Sequence, residues 1–169
     1  MFFFKKVCAP GKYHDDNAIP DLINYIMRPD KTPSGIKGAY RVDPNNIAGS
    51  MIAVSEKFGK NSRIRLHHFI VSFGGHNAPK RIWMATIAQR ICEPIAERYQ
   101  IAYALHEDTK YLHIHFVFNA VSYVDGYKYR NGEMEYKELI RLADHAVRIF
   151  DHYGIRPESY TSNIREADE

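Results

Sequence analysis

Cysteine is scarce in these 169 residues: Cys8 and Cys92 are isolated thiols with no CxxC spacing. That excludes a disulfide framework and a thiolate zinc ribbon, and leaves both as small apolar residues destined for the interior. Long hydrophobic runs are missing too, so no stretch reads as a membrane span. The opening Phe2-Phe3-Phe4 is too short for a signal peptide, and its lysines follow it instead of preceding it. The expected location is therefore cytoplasmic, without membrane insertion. No internal repeat or low-complexity linker divides the chain, so one domain over residues 1–169 is expected. A large excess of one charge is also lacking. A net charge of +3 and a pI near 8.8 permit an anionic partner without requiring one.

What is present is apolar and aromatic. Hydrophobic residues make up 45% and aromatic ones 13%, which is the composition of a folded globule. Histidine is concentrated: His106, His113 and His115 fall within ten residues, in HEDTKYLHIHFVFN. The flanking runs alternate apolar and polar residues, and DTKY between them is turn material, so the stretch reads as a β-hairpin. With Asp108 to Tyr111 as the loop, His106 lies opposite His113, with Cβ atoms about 5 Å apart. His115, two residues along, shares that face roughly 6.7 Å further on. Ile101, Tyr103, Leu105, Leu112, Ile114, Phe116 and Phe118 take the other face and form a core surface. Three imidazoles converging beside a clean apolar face point to a metal site.

The rest of the chain supplies helices and further strands. MFFFKKVC reads as an opening strand, and Gly38 to Asp43 as a short one. Ile19 to Met27 carries a helical stripe at 19, 22, 23 and 26, stopped by Pro29 and Pro33, with Tyr25 roughly 110° from the stripe's centre. Asn45 to Lys57 is a second helix, with Ile47, Met51 and Val54 inward. Leu66 to Phe73 is a strong, central strand in which His67 and His68 must point to opposite faces. One of these two is a candidate to support the metal site from behind, although core packing is the favoured reading for either. A long helix runs from Asn77 to Tyr99 along Trp83, Ile87 and Ile91, kinked or split at Pro94. A last one runs from Tyr136 to Tyr153, with Leu139, Ala143, Ala146 and Phe150 inward and Gly154 as its stop. The fold class is α+β: a central antiparallel sheet with helices packed on its faces, in a two-layer sandwich.

The histidine segment resembles the metal-binding motif of conjugative and mobilisation relaxases of the Mob/VirD type, in the HUH endonuclease superfamily. Their pattern, H-x-D, a spacer, H-x-H and a following Asn, is met by His106, Asp108, His113, His115 and Asn119, with Tyr111-Leu112 where the family carries Pro or His. LINYIMRPDKT, ahead of the histidines, is similar to the family's nucleophile motif and makes Tyr25 the attacking residue. The resemblance implies a metal-dependent, site- and strand-specific DNA nickase and strand transferase. It would form a 5′-phosphotyrosine intermediate at a transfer origin, with accessory DNA-binding proteins of the relaxosome as partners. The chain is then a compact relaxase or the N-terminal domain of a longer one.

The residue types suit that chemistry. A tyrosine hydroxyl has a reference pKa of about 10, so only about one in a thousand is ionised at pH 7. A divalent ion on three neutral imidazoles keeps its full charge for a phosphate oxygen and eases deprotonation. The candidate ions are Mn, Mg, Zn and Ni, and imidazole suits the transition metals better than Mg. Asp108 has two readings, a catalytic carboxylate that orients an imidazole and a turn-former at the start of DTKY. Single-stranded DNA contacts are expected from Arg28, Lys31, Lys60, Arg63, Asn119, Lys128 and Arg130. Tyr13, Tyr40, Tyr123, Tyr127 and Tyr129 are candidates to stack on bases. Two further readings place the chemistry elsewhere. In a rolling-circle replication initiator or single-tyrosine transposase the nucleophile follows the histidines, as Tyr136 or Tyr153. In a non-catalytic DNA-binding module the metal is structural.

Overall fold

A computed structural model describes residues 2–8, 11–74, 78–130 and 132–149. Five strands form one antiparallel sheet: β1 (Phe2–Val7), β2 (Lys37–Tyr40), β3 (Leu66–Phe73), β4 (Ile101–His106) and β5 (Leu112–Asn119). Their order is β1-β3-β5-β4-β2, so β5 is central and β3 is its neighbour. The four helices are α1 (Ala18–Ile26), α2 (Ile47–Lys57), α3 (Arg81–Ala96) and α4 (Glu133–Arg148). The expected α+β class with a central antiparallel sheet is the observed one, but helices cover both faces, α3 and α4 on one and α1 and α2 on the other, so there are three layers where two were expected.

Period-two alternation divides the sheet's residues between two cores. On one face Phe4, Phe69, Val71, Phe73, Leu105, Ile114, Phe116 and Phe118 pack beneath α3 and α4. Phe69 and Phe116 stack there with centroids 4.7 Å apart and rings 9° from parallel. Burying each such phenyl stabilises the fold by about 1.5–3 kcal/mol. On the other face α1 and α2 bury Ile19, Leu22, Ile23, Ile26 and Met51 against Leu66, Ala102, Ala104 and Val117. The small residues Ala102 and Ala104 let α1 approach β4 closely. That is why the backbone of Ile26 can reach His106.

Several boundaries shift from their expected places. Pro94 does not split α3; it sits in the helix's last turn, where little helix remains to be disrupted. Val54 is only half-buried, and Ser55 is the residue of that turn that faces inward. Cys92 is buried as expected, whereas Cys8, just beyond edge strand β1, is exposed. In α4, Leu139, Ala143 and Ala146 are inward; Phe150, Tyr153 and Gly154 lie outside the described residues, as does Asn77. The segment after α1 folds back along the hairpin. Glu107 N–H donates to Lys31 O at 3.0 Å, and Leu105 N–H donates to Ile36 O at 2.8 Å.

Candidate active site

The β4–β5 register pairs His106 with His113 and Ala104 with His115, as the four-residue loop predicts. All three histidines therefore emerge on the α1 face, beyond the end of that helix's apolar stripe. Their ring centroids are 4.1 Å (His106–His115), 5.1 Å (His113–His115) and 5.4 Å (His106–His113) apart. One nitrogen from each lies within 4.8 Å of the others.

The hydrogen bonds determine which nitrogen is which. His106 Nε2 lies 2.9 Å from Ile26 O, and His113 Nδ1 lies 3.1 Å from Tyr111 O. A carbonyl only accepts, so both nitrogens carry the proton and the opposite nitrogen of each neutral ring bears a lone pair. Among the described residues, His106 Nδ1 and His115 Nε2 are buried with no hydrogen-bond partner. Buried polar atoms are normally paired, and unpaired ones cost about 1–3 kcal/mol each. Two such atoms among three convergent imidazoles fit a cation ligated by nitrogen. Burial also favours the neutral form of His106 and His115, the form that ligates. It lowers the pKa of His115 to about 2, with neighbouring histidines adding to the effect, and it lowers that of His106 as well.

Tyr25 stands over this cluster. Its ring lies 5.6 Å from that of His106 and 5.7 Å from that of His115, both edge-on. It remains 40% exposed, so a long substrate has access to its hydroxyl. The flank position on α1 thus turns the ring toward the histidines while Ile23 and Ile26 stay buried. Beside it opens a cleft of about 610 Å³ lined by Lys5, Lys12, Tyr13, Tyr25, His68 and His115 among others.

Among the described residues Asp108 makes no hydrogen bond to an imidazole; its Oδ1 is 3.9 Å from His113 Nε2. Its partner is Lys31, whose Nζ donates to Oδ2 at 2.6 Å. That ammonium also lies 5.1 Å from the centroid of Tyr25. The contacts that orient the rings come instead from Ile26 O, Tyr111 O and His68, whose Nε2 is 2.8 Å from His115 Nδ1. His67 goes to the opposite face and stacks on Phe118 at 5.0 Å.

The expected DNA contacts divide into groups. Arg28 and Lys31 flank Tyr25, although the Arg28 guanidinium is held by Asp30 at 2.7 Å. Lys60, Arg63, Lys128 and Arg130 lie near the other end of β3 and β5. There Lys60 sits over the exposed ring of Tyr127, and Lys128 donates to the carbonyls of Ser62 and Ile64. Asn119 is a correction. It is completely buried, and its amide bonds Met51 O, Gln100 Oε1 and Val121 N–H, so it braces α2 against β5 and offers nothing to solvent. Of the five tyrosines considered for stacking, Tyr127 is the exposed one, at 66%. Tyr13, Tyr40, Tyr123 and Tyr129 are partly buried. Lys5 and Lys12, which line the cleft, were not among the expected basic residues. The strand parity of FFFKKV, with Phe4 inward, was the available signal for Lys5.

A family model for the relaxase nuclease domain of the MobA/VirD2-like type matches residues 25–151. No curated protein and no solved structure matches the chain. The match starts at Tyr25, takes in all three histidines and covers most of the sequence. This chain belongs to the MobA/VirD2-like relaxase family, as its nuclease domain.

Proposed function

We propose that the domain nicks one strand of DNA at a transfer origin through Tyr25, and that its metal ion is held by His106, His113 and His115. The observation that carries this reading is the seating of an accessible tyrosine ring 5.6–5.7 Å from two imidazoles whose buried nitrogens have no partner. When bound, the ion supplies Lewis-acid polarisation of the scissile phosphate. Tyr25 Oη forms the new bond to phosphorus, the P–O3′ bond breaks, and the 3′-oxygen leaves with a proton. The 5′ phosphate stays on Tyr25. Attack by the freed 3′-hydroxyl reverses each step and reseals the strand, so the domain acts as a strand transferase and not as a hydrolase.

Lys31 contributes charge beside the phenol, and Asp108 holds Lys31 there. That is the role proposed for both residues. Lys5 and Lys12 line the cleft together with Asp15 and Asp21, so its formal charges balance, and the two ammonium groups are the ones suited to meet a phosphodiester backbone. The replication-initiator reading gains no support. Tyr136 projects from α4 against Phe4, 5.6 Å away on the other side of the sheet from the histidines.

The test is covalent capture. An origin-bearing oligonucleotide incubated with divalent metal should give a protein–DNA adduct on a denaturing gel, and peptide mapping should place it on Tyr25. Tyr25→Phe keeps the ring, and stability should move by less than about 0.5 kcal/mol because the site is exposed. Adduct and nicking should both be lost. An adduct on Tyr136 or Tyr153, or undiminished nicking by Tyr25→Phe, overturns the proposal.

A further inference from the structure

Two of the three imidazoles are fixed in their ligating tautomer by backbone carbonyls, and His115 is not. Its Nδ1 faces a side chain, His68 Nε2 at 2.8 Å, and His68 Nδ1 in turn lies 2.9 Å from Tyr13 Oη. We infer that Tyr13 and His68 form a relay that holds His115 as the Nδ1–H tautomer, so that its Nε2 lone pair faces the metal position. This deepens the metal-centre reading above and rests on it.

The direction of the relay follows from donor and acceptor counting. For His115 Nε2 to ligate, the proton must sit on Nδ1 and be donated to His68 Nε2. A neutral His68 then carries its own proton on Nδ1 and donates it to Tyr13 Oη. The tyrosine ends the chain because a hydroxyl oxygen accepts while its hydrogen turns toward the cleft. Reversing all of these bonds would put a proton on His115 Nε2. That would place a buried N–H where no hydrogen bond is made among the described residues, at the position where ligation needs a lone pair. Such a ring could not ligate.

The chain secures both members of the relay. His68 and His115 are 5% and 3% exposed, so water does not compete for their shared bond. They occupy adjacent strands, His68 opposite Val117 and His115 opposite Ile70, and their rings stack at 5.1 Å. Tyr13 adopts a left-handed backbone with φ of 63°, which is disfavoured for a residue with a side chain. That conformation is pinned to the sheet, since Arg65 N–H donates to Tyr13 O at 2.8 Å and the Arg65 guanidinium pairs with Asp16 at 2.5 Å. Tyr13 also precedes the span matched by the family model, residues 25–151. These are positioning residues, since neither contacts the proposed metal position.

Both readouts omit DNA and turnover. In metal-free protein labelled with ¹⁵N-histidine, long-range ¹H–¹⁵N correlation should show His115 as a single Nδ1–H tautomer. In His68→Leu that preference should be lost. Zn²⁺ affinity, measured by competition with a chromophoric chelator, should weaken roughly 10–100-fold in His68→Leu, the usual effect of losing such a support. It should weaken less in Tyr13→Phe, which leaves His68 in place without its acceptor. His68→Gln puts an amide oxygen near the former Nε2 and should recover much of the affinity, which a purely space-filling role would not produce. Tyr13→Phe is close to isosteric, so the inference stays testable if His68→Leu does not fold. It is overturned if wild-type His115 carries its proton on Nε2, or if both Tyr13→Phe and His68→Gln bind Zn²⁺ as the wild type does while His68→Leu does too. If Tyr25 fails to nick but the tautomer and affinity results hold, the relay stands and only the proposed reaction falls.

Discussion

Asn119→Ala separates a structural amide from a DNA contact, and the structure sets the size of the effect. Asn119 Nδ2 donates to Met51 O and to Gln100 Oε1, both at 2.9 Å, while Oδ1 accepts from Val121 N–H at 3.1 Å. Gln100 extends the network, donating to Arg41 O at 3.0 Å and Ser50 O at 3.1 Å. Truncation leaves Val121 N–H buried without a partner, at about 1–3 kcal/mol, and removes the amide bond to Gln100, worth about 1 kcal/mol. Met51 O suffers less, because Ser55 Oγ also donates to it, at 3.4 Å. The expected loss is roughly 3 kcal/mol, or a fall in Tm of about 10 °C for a domain of this size.

Urea unfolding followed by the fluorescence of Trp83, the single tryptophan, measures that loss. Affinity for single-stranded DNA, read at a temperature where the variant stays folded, should not change. Asn119→Asp should cost at least as much, because it turns two donors into acceptors facing carbonyl oxygens. A stability loss below about 1 kcal/mol together with a clear loss of DNA affinity would refute this assignment and restore Asn119 as a DNA contact.

Replacing His106, His113 or His115 singly with Ala should abolish high-affinity divalent metal binding in calorimetry while the α3/α4 core keeps the sheet folded; full affinity in the His113→Ala/His115→Ala double variant would refute the site. Single-stranded DNA binding should fall linearly with salt on logarithmic axes, and Lys12→Ala should reduce the slope by about one; a flat response would exclude backbone-dominated binding. Acid should destabilise the fold through His67, whose pKa burial lowers from 6.5 to about 4. Above pH 6.5 neither the folded nor the unfolded state binds the proton, so stability is intact there. As pH falls from 6.5 toward 4 the unfolded chain takes it up first, which removes up to about 3 kcal/mol before the loss levels off. His67→Phe, which retains the stack on Phe118, should reduce the pH dependence of unfolding across that window by one proton's share and leave the rest, because burial also lowers the pKa of His68 to about 3 and that of His115 to about 2. An unchanged slope would count against this account.

The shared face of the three histidines was legible from sequence because it depends on local rules. A four-residue loop fixes which residues stand opposite one another, and period two then fixes their faces; His106, His113 and His115 needed nothing more. The same parity placed Asn119 on the correct face but could not reveal that α2 and Gln100 cover that end of β5. Burial depended on a helix more than sixty residues earlier in the chain. Tyr13 was considered only as a stacking surface, because its partner His68 is 55 residues away and meets it through a loop crossing that leaves no periodic signature. Lys5 and Lys12 were missed because basic residues were grouped by nearness in sequence, whereas the cleft gathers them from an edge strand and a loop. Asp108 illustrates the limit differently. Its spacing from His106 was read correctly, yet the partner that fixes its role is Lys31, brought alongside by the chain folding back after α1.

The two faces of the sheet divide the work of stability and function. The α3/α4 side is mostly apolar at its centre, with stacked phenyl rings, although it also buries the imidazole of His67, whose Nε2 has no partner among the described residues. The α1 side holds His68, His106 and His115 nearly or fully out of water, with two nitrogens left unpaired. An apolar residue at His106 would avoid that desolvation, so a fold selected for stability alone has no reason to keep an imidazole there. The rings are nonetheless held firmly, by Ile26 O, by Tyr111 O and by His68, so their lone pairs cannot turn away to find other partners. On the proposed reading, a bound cation supplies what the protein withholds from these nitrogens. The free energy recovered on binding goes to a site already shaped for it, with the Tyr25 ring already in place beside it. With Tyr25 as the proposed nucleophile, such preorganisation would lower the cost of assembling it with a phosphate.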